Sequence, residues 1–124
     1  MRKRLRKKLQ KGEFAVPVIP IAFRMGELAD PDRNNLLDRF VAEAIEANGL
    51  QFGGGGGGSV WSGFAEPVNW PGSISDDQRS AVETWIASQP EIVERFVGEI
   101  TTDSETLMDQ DPDFPRSRLG ASDK

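Results

Sequence analysis

The feature that most constrains the fold of this chain is an amphipathic segment over residues 30–48 that has β-type segments on both sides. Asp30 and Pro31 form a helix start, with Asp30 as N-cap, and Asn48-Gly49 form a helix stop. The apolar residues between these signals recur at helical spacing: Leu36, Leu37, Phe40, Val41, Ala44 and Ile45. Such a helix must bury its apolar face against another element, and the flanking segments offer a sheet.

The segments flanking this helix are rich in β-branched and aromatic residues. Residues 14–25 (FAVPVIPIAFRM) predict a strand, most securely from Val18 onward. Pro17 and Pro20 lack a ladder donor and therefore predict a position at a sheet edge or a bulge. After the helix, residues 50–52 run into six glycines and then into residues 59–68, which predicts a β-hairpin around a glycine-rich turn.

The second half of the chain predicts another helix and one ambiguous element. Ser75 to Gln78 (SDDQ) fit a capping box before a face formed by Val82, Trp85 and Ile86, and Pro90 ends the helix. Residues 91–101 match a helical spacing, but their Val, Ile and Phe content and Gly98 also suit a strand. If they form a strand, the order becomes the split β-α-β-β-α-β motif.

These elements predict a single α+β, ferredoxin-like domain in which two helices cover one face of a four-stranded sheet. A chain of 124 residues is long enough for one such core plus tails. We expect a basic N-terminal arm at residues 1–12, the domain at 13–102, and an acidic, disordered tail at 103–124.

Charge is segregated along the chain. Seven of the fifteen basic residues lie in the first eleven positions without one acid, whereas residues 12–124 carry a net charge of −12. A cationic arm of this density predicts a polyanionic partner, with a solubilising terminus as the alternative. Nucleic acid is favoured over an anionic membrane, because the arm lacks the large apolar face that membrane-surface helices bury. The predicted RNA-binding residues are Arg2, Lys3, Arg4, Arg6, Lys7, Lys8 and Lys11.

Residue usage argues against an enzyme. The chain has no histidine, cysteine or tyrosine, and its only lysine outside the arm is Lys124. The usual general bases, nucleophile pairs and imidazole or thiolate metal ligands are therefore missing, so we expect no catalytic site, metal or cofactor. The absence of cysteine favours a reducing compartment, hence the cytoplasm, and no apolar run reaches the length of a membrane span.

Two motif matches are weak. Gly53, Gly55 and Gly58 satisfy G-x-G-x-x-G, but any six-glycine run does so, and residues 59–64 read as a strand rather than the helix that a dinucleotide site requires. The D-x-D-x-D run that starts at Asp109 lacks the turn glycine and the final glutamate of a calcium loop.

Aromatic residues beside the glycine run leave two interpretations open. Trp61 and Phe64, on one predicted strand beside Phe52, either form an exposed platform for stacking on bases or pack in the core; the candidate stacking residues are Phe52 and Trp61. A regulatory module that binds a small ligand at the glycine-rich hairpin is the alternative function.

The chain resembles the YggL family of small bacterial 50S ribosome-binding proteins over about residues 1–103. The resemblance rests on the joint order of RLRKKL (residues 4–9), GEF (12–14), AFRM (22–25), the helix through Phe40, LQFGGGG (50–56), WSGF (61–64) and the helix with Trp85. It implies a strand at residues 91–101 and a non-enzymatic protein that associates with the large ribosomal subunit during its maturation. The expected partner is therefore ribosomal RNA, with neither a membrane nor a small-molecule substrate.

Overall fold

The computed structural model describes residues 16–57, 59–68 and 72–119, and these contain one four-stranded antiparallel sheet. The strands lie in the order β2-β3-β1-β4: β1 is Ile19–Met25, β2 is Leu50–Gly57, β3 is Val60–Pro67 and β4 is Ile92–Val97. The described α-helices are α1 (Asp30–Arg39), α2 (Asp76–Ala87) and α3 (Ser104–Gln110).

The predicted α+β class and four-stranded sheet are confirmed. The ambiguous segment contains a strand, as the family resemblance implied, because β4 pairs with β1 and places Val97 opposite Ile21. The prediction of two helices needs correction, since α3 is a third.

The first helical region continues beyond its α-helical part and changes type along its length. Its N-cap is Ala29, one residue before the predicted Asp30, and α1 continues as a π-helical segment (Phe40–Ile45) and a 3-10 turn (Glu46–Asn48). The predicted stop is confirmed, with Gly49 at a φ of 75°. The wider π turn brings residues five apart onto one face, so Phe40 and Ile45 are both fully buried.

The main core lies between the helices and one face of the sheet. The Phe40 ring is at its centre, with ring centroids of Phe23 and Phe52 each 5.2 Å away and that of Trp85 5.9 Å away. The rings of Phe23 and Phe40 are fully buried, and burial of each contributes about 1.5–3 kcal/mol. The predicted packing role of Trp85 is confirmed, because its ring packs against the core.

The predicted capping box of the second helix is confirmed. The Gln78 backbone N–H donates to Ser75 Oγ (3.1 Å), and the Ser75 N–H donates to Gln78 Oε1 (2.7 Å). Gln78 Nε2 also donates to the carbonyl of Asn48 (2.8 Å), so the start of α2 is tied to the end of the first helix.

Pro20 lies in an interior strand, not at the edge or bulge that its missing donor predicted. Its carbonyl accepts from the N–H of Gly98 (2.8 Å), which follows the last residue of β4. In an antiparallel strand the N–H and the C=O of one residue face the same neighbouring strand. The N–H that Pro20 lacks would therefore point towards β4 just beyond its last residue, where the regular ladder has ended. A Cβ on Gly98 would lie 2.8 Å from Pro20 Cγ, so this glycine makes room for the proline ring.

The predicted hairpin is confirmed, but its glycines are placed differently. Gly53 to Gly57 belong to β2 and pair with β3 as far as the Gly57–Val60 pair, which leaves only residues 58 and 59 between the strands. The glycine run is therefore largely strand rather than turn. A Cβ on Gly54 would lie 2.3 Å from the Ser62 carbonyl oxygen, so the close approach of the strands requires glycine there.

The C-terminal segment, defined here as residues 103–119, covers part of the other face of the sheet. It contains α3 and a 3-10 turn at Arg116–Arg118, and its Phe114 and Leu119 are each only 6% exposed. Leu119 packs with Ala22 of β1 and Val60 of β3. The disordered tail was predicted for residues 103–124, of which 120–124 lie outside the described residues. In residues 103–119 a few apolar side chains of an acidic segment pack on a sheet surface.

Candidate functional site

The seven predicted RNA-binding residues, Arg2 to Lys11, lie outside the described residues, so their role stays a prediction. The described chain begins at Val16 and enters the sheet through Val18, whose N–H donates to the Thr101 carbonyl (2.8 Å). The described chain therefore begins at the start of an interior strand, next to the start of the C-terminal segment.

The described part of the body is strongly acidic. Residues 16–119 contain seven arginines and eighteen carboxylates, a net charge of −11. Several of these arginines are engaged in contacts within the body: Arg24 pairs with Glu94 (2.9 Å), and Arg39 donates to Glu91 (3.3 Å) and Gln89 (2.9 Å). Their positive charge is therefore offset locally.

Arg79 connects α2 to the end of strand β4. Its guanidinium donates to the carbonyls of Val97 (2.7 Å) and Gly98 (2.6 Å) at the end of β4, and to Glu83 (3.3 Å) one helical turn away. These bonds join α2 to the sheet and satisfy two backbone acceptors where the ladder ends.

The two candidate stacking residues, Phe52 and Trp61, lie on the helix side of the sheet. Both are partly buried and pack against the main core, and Phe52 meets Phe40 in an edge-to-face contact. This placement favours core packing, which was the alternative to an exposed platform for bases.

A second aromatic group lies on the opposite face, and of its three members only Phe64 was considered for base stacking from the sequence. Phe64 of β3, Phe96 of β4 and Phe114 of the C-terminal segment form it, with the Phe114 centroid 6.2 Å from Phe64 and 6.0 Å from Phe96. The guanidinium carbon of Arg118 lies 5.7 Å from the Phe96 centroid and 5.3 Å from that of Phe114. Strand alternation was the available signal, because Phe64 is three residues from Trp61 and therefore faces the other way.

A cleft of about 540 Å³ lies on this face beside the aromatic group. Its floor includes the backbone of Gly53–Gly55, and its walls include Phe64, Met108 and Phe114. The residues that line the cleft include three carboxylates, Glu66, Glu105 and Asp113, and one arginine, Arg116. Both carboxylate oxygens of Glu105 have less than 1 Å² of exposed surface and no hydrogen-bond partner among the described residues.

The aspartates of the calcium-like motif have local structural contacts. Asp111 accepts from the backbone N–H of Asp113 (3.2 Å) and from the hydroxyl of Ser117 (2.5 Å), so it stabilises the turn after α3. Within the described ranges, no three carboxylates are grouped so as to hold a metal ion. None of the described helices is long and apolar enough to span a bilayer.

Comparison with known proteins identifies a family to which the chain is similar. No curated protein and no solved structure matches the chain significantly. The model of the family described as "YggL 50S ribosome-binding protein" matches residues 3–103, about four-fifths of the chain. That range includes six of the seven basic residues of the arm and all four strands, and it ends where the C-terminal segment begins. The chain therefore belongs to the YggL family of 50S ribosome-binding proteins.

Proposed function

We propose that this protein binds ribosomal RNA of the 50S subunit through its basic arm and acts in maturation of that subunit. It works in the cytoplasm as a binding protein without catalytic chemistry. We also interpret the order of its elements, with β3 between β1 and β2 and β1 between β3 and β4, as the ferredoxin-like arrangement predicted from the sequence.

The observation that carries this proposal is the separation of charge. The arm holds seven bases and no acid, whereas the described body has a net charge of −11. Contact with an RNA backbone requires cations that are free to neutralise phosphates. Arg24, Arg39 and Arg79 already have acceptors within the body, so the arm is the main source of such cations.

The acidic body has a complementary role in this proposal. A cationic arm alone binds any polyanion, because contact with phosphates is independent of sequence. Repulsion between the body and RNA weakens binding wherever the body has no matching surface, so it limits indiscriminate association.

The salt dependence of binding to purified 50S subunits tests the proposal. Each phosphate neutralised contributes a log-log slope of about −0.7 to −0.9, so three to five contacts give an overall slope between about −2 and −4.5, centred near −3. Changing all seven arm bases to Gln should flatten the slope and lower the affinity by at least tenfold. The matched control, Arg95→Gln, removes one exposed positive charge from the body and should leave the slope nearly unchanged. Unaltered affinity and slope in the seven-Gln variant contradict the proposal.

A further inference from the structure

Two glycines in β2 have no packing reason to be glycine. A Cβ built on Gly53 or Gly55 meets no atom within 4 Å, and neither residue has a φ that side chains avoid. Glycine inside a strand lowers stability by about 0.5–1 kcal/mol relative to alanine. Gly54 and Gly56 differ, because a Cβ on either would lie within 2.3 Å of a carbonyl oxygen of β3.

What these two glycines preserve is the open cleft. Gly53 and Gly55 lie opposite Phe64 and Ser62 in the hairpin register, and all four residues line it. A side chain at either glycine would project into that space. The cleft volume of about 540 Å³ lies within the range of ligand sites, about 300–1,000 Å³.

The chemistry of the cleft fits a guanidinium group. Glu105 contributes a carboxylate whose two oxygens are covered but have no partner among the described residues, so an entering guanidinium that displaces the covering groups would pair with both oxygens through two parallel hydrogen bonds. Phe64 and Phe114 contribute aromatic walls, on which guanidinium groups stack better than ammonium groups do. The contact of Arg118 with Phe114 shows that this aromatic group already accommodates one guanidinium.

The position of the cleft beside β2 indicates how a partner would present the guanidinium group. Among the described strands β2 lies at an edge of the sheet, so alternate residues direct backbone N–H and C=O groups away from it. An extended segment can add to such an edge through main-chain hydrogen bonds while its side chains enter neighbouring pockets. A basic segment also complements the net charge of the body.

We infer that this cleft binds an arginine side chain carried by an extended basic segment of a partner protein, with Glu105 as its counter-ion. The inference does not depend on the proposed RNA contacts, because it uses residues of the body alone.

The test uses the full chain and a blocked five-residue peptide with a central arginine between threonine and valine residues. The control peptide carries citrulline, a neutral isostere, in place of arginine. We expect the arginine peptide to shift the backbone amide NMR signals of residues 53–55 and 104–105 with a Kd of about 1 mM or below. The citrulline peptide should bind at least tenfold more weakly.

Variants separate the cleft from other surfaces. Glu105→Gln should weaken the arginine peptide at least tenfold, and Gly55→Val should abolish its binding while the other amide signals keep their folded dispersion. Equal binding of both peptides, unaltered binding by either variant, or no shift at about 5 mM peptide overturns the inference. Binding that appears only after the seven arm bases are changed to Gln also overturns it, because the arm and not a partner would then occupy the cleft.

Discussion

Alanine substitutions along the glycine run should give alternating effects on stability. The perturbation is one methyl group at Gly53, Gly54, Gly55 or Gly56. At Gly54 the new Cβ would lie 2.3 Å from the Ser62 carbonyl oxygen, and at Gly56 it would lie 2.0 Å from that of Val60. Because ordinary carbon–oxygen contacts are about 3.3 Å or longer, the strands must separate locally by about 1 Å.

The magnitude follows from that separation. Overpacking of this size costs about 1–3 kcal/mol, and weakening one or two ladder hydrogen bonds adds about 1 kcal/mol, so Gly54→Ala and Gly56→Ala should lose about 2–4 kcal/mol. Gly54 has a φ of 156°, which adds strain for any side chain. Gly53→Ala and Gly55→Ala meet open space and should gain up to about 1 kcal/mol, because alanine loses less backbone freedom on folding.

Urea denaturation followed by tryptophan fluorescence measures these differences as shifts of the midpoint. With an m-value of about 2 kcal/mol/M, the difference of about 2–5 kcal/mol between the two members of each neighbouring pair corresponds to about 1–2.5 M urea at the midpoint. The matched controls are built in, since the substitutions are chemically identical. Four similar values, or a larger loss at Gly53 and Gly55, refute the assignment of these glycines to a closely paired strand.

Three further predictions test other parts of the fold. Arg79→Gln should lower the free energy of unfolding by about 2–3 kcal/mol, because the carbonyls of Val97 and Gly98 lose a charged donor. Arg79→Lys should recover part of this loss. A loss below about 0.5 kcal/mol in urea denaturation of the Gln variant contradicts this role. Phe114→Ala should speed amide hydrogen exchange in the C-terminal segment while β1 stays protected; equal acceleration in both would show that they unfold as one unit. Phe52→Leu keeps apolar volume but removes the ring, so 50S affinity should change by less than twofold; a tenfold loss at unchanged stability would restore its stacking role.

Elements with local signals were predictable from the sequence. The capping box from Ser75 to Gln78 and the stop at Gly49 use side chains and backbone within a few residues of one another, so their sequence patterns suffice. The strand at residues 92–97 was different, because its apolar spacing also fits a helix. Pairing with β1, about 70 residues away in the chain, is what distinguishes the two.

Features that depend on long-range contacts were not predictable. Nothing in a run of six glycines shows that Gly54 lies against Gly63 of the opposite strand, so the run was assigned to a turn. The acidic composition of the C-terminal segment likewise hides the burial of Phe114 and Leu119, which depends on an apolar sheet face elsewhere in the chain. The cleft follows from both of these contacts, so the sequence alone gave no indication of it.

The central claim is that the basic arm attaches this protein to the 50S subunit. Sedimentation of purified protein with separated 30S, 50S and 70S particles through sucrose gradients at low salt tests it most directly. We predict that the wild-type chain migrates with free 50S subunits and that the seven-Gln variant stays in the top fractions although its body is folded. Wild-type protein that stays at the top or follows 30S particles equally well, or a seven-Gln variant that still migrates with 50S, would contradict the account.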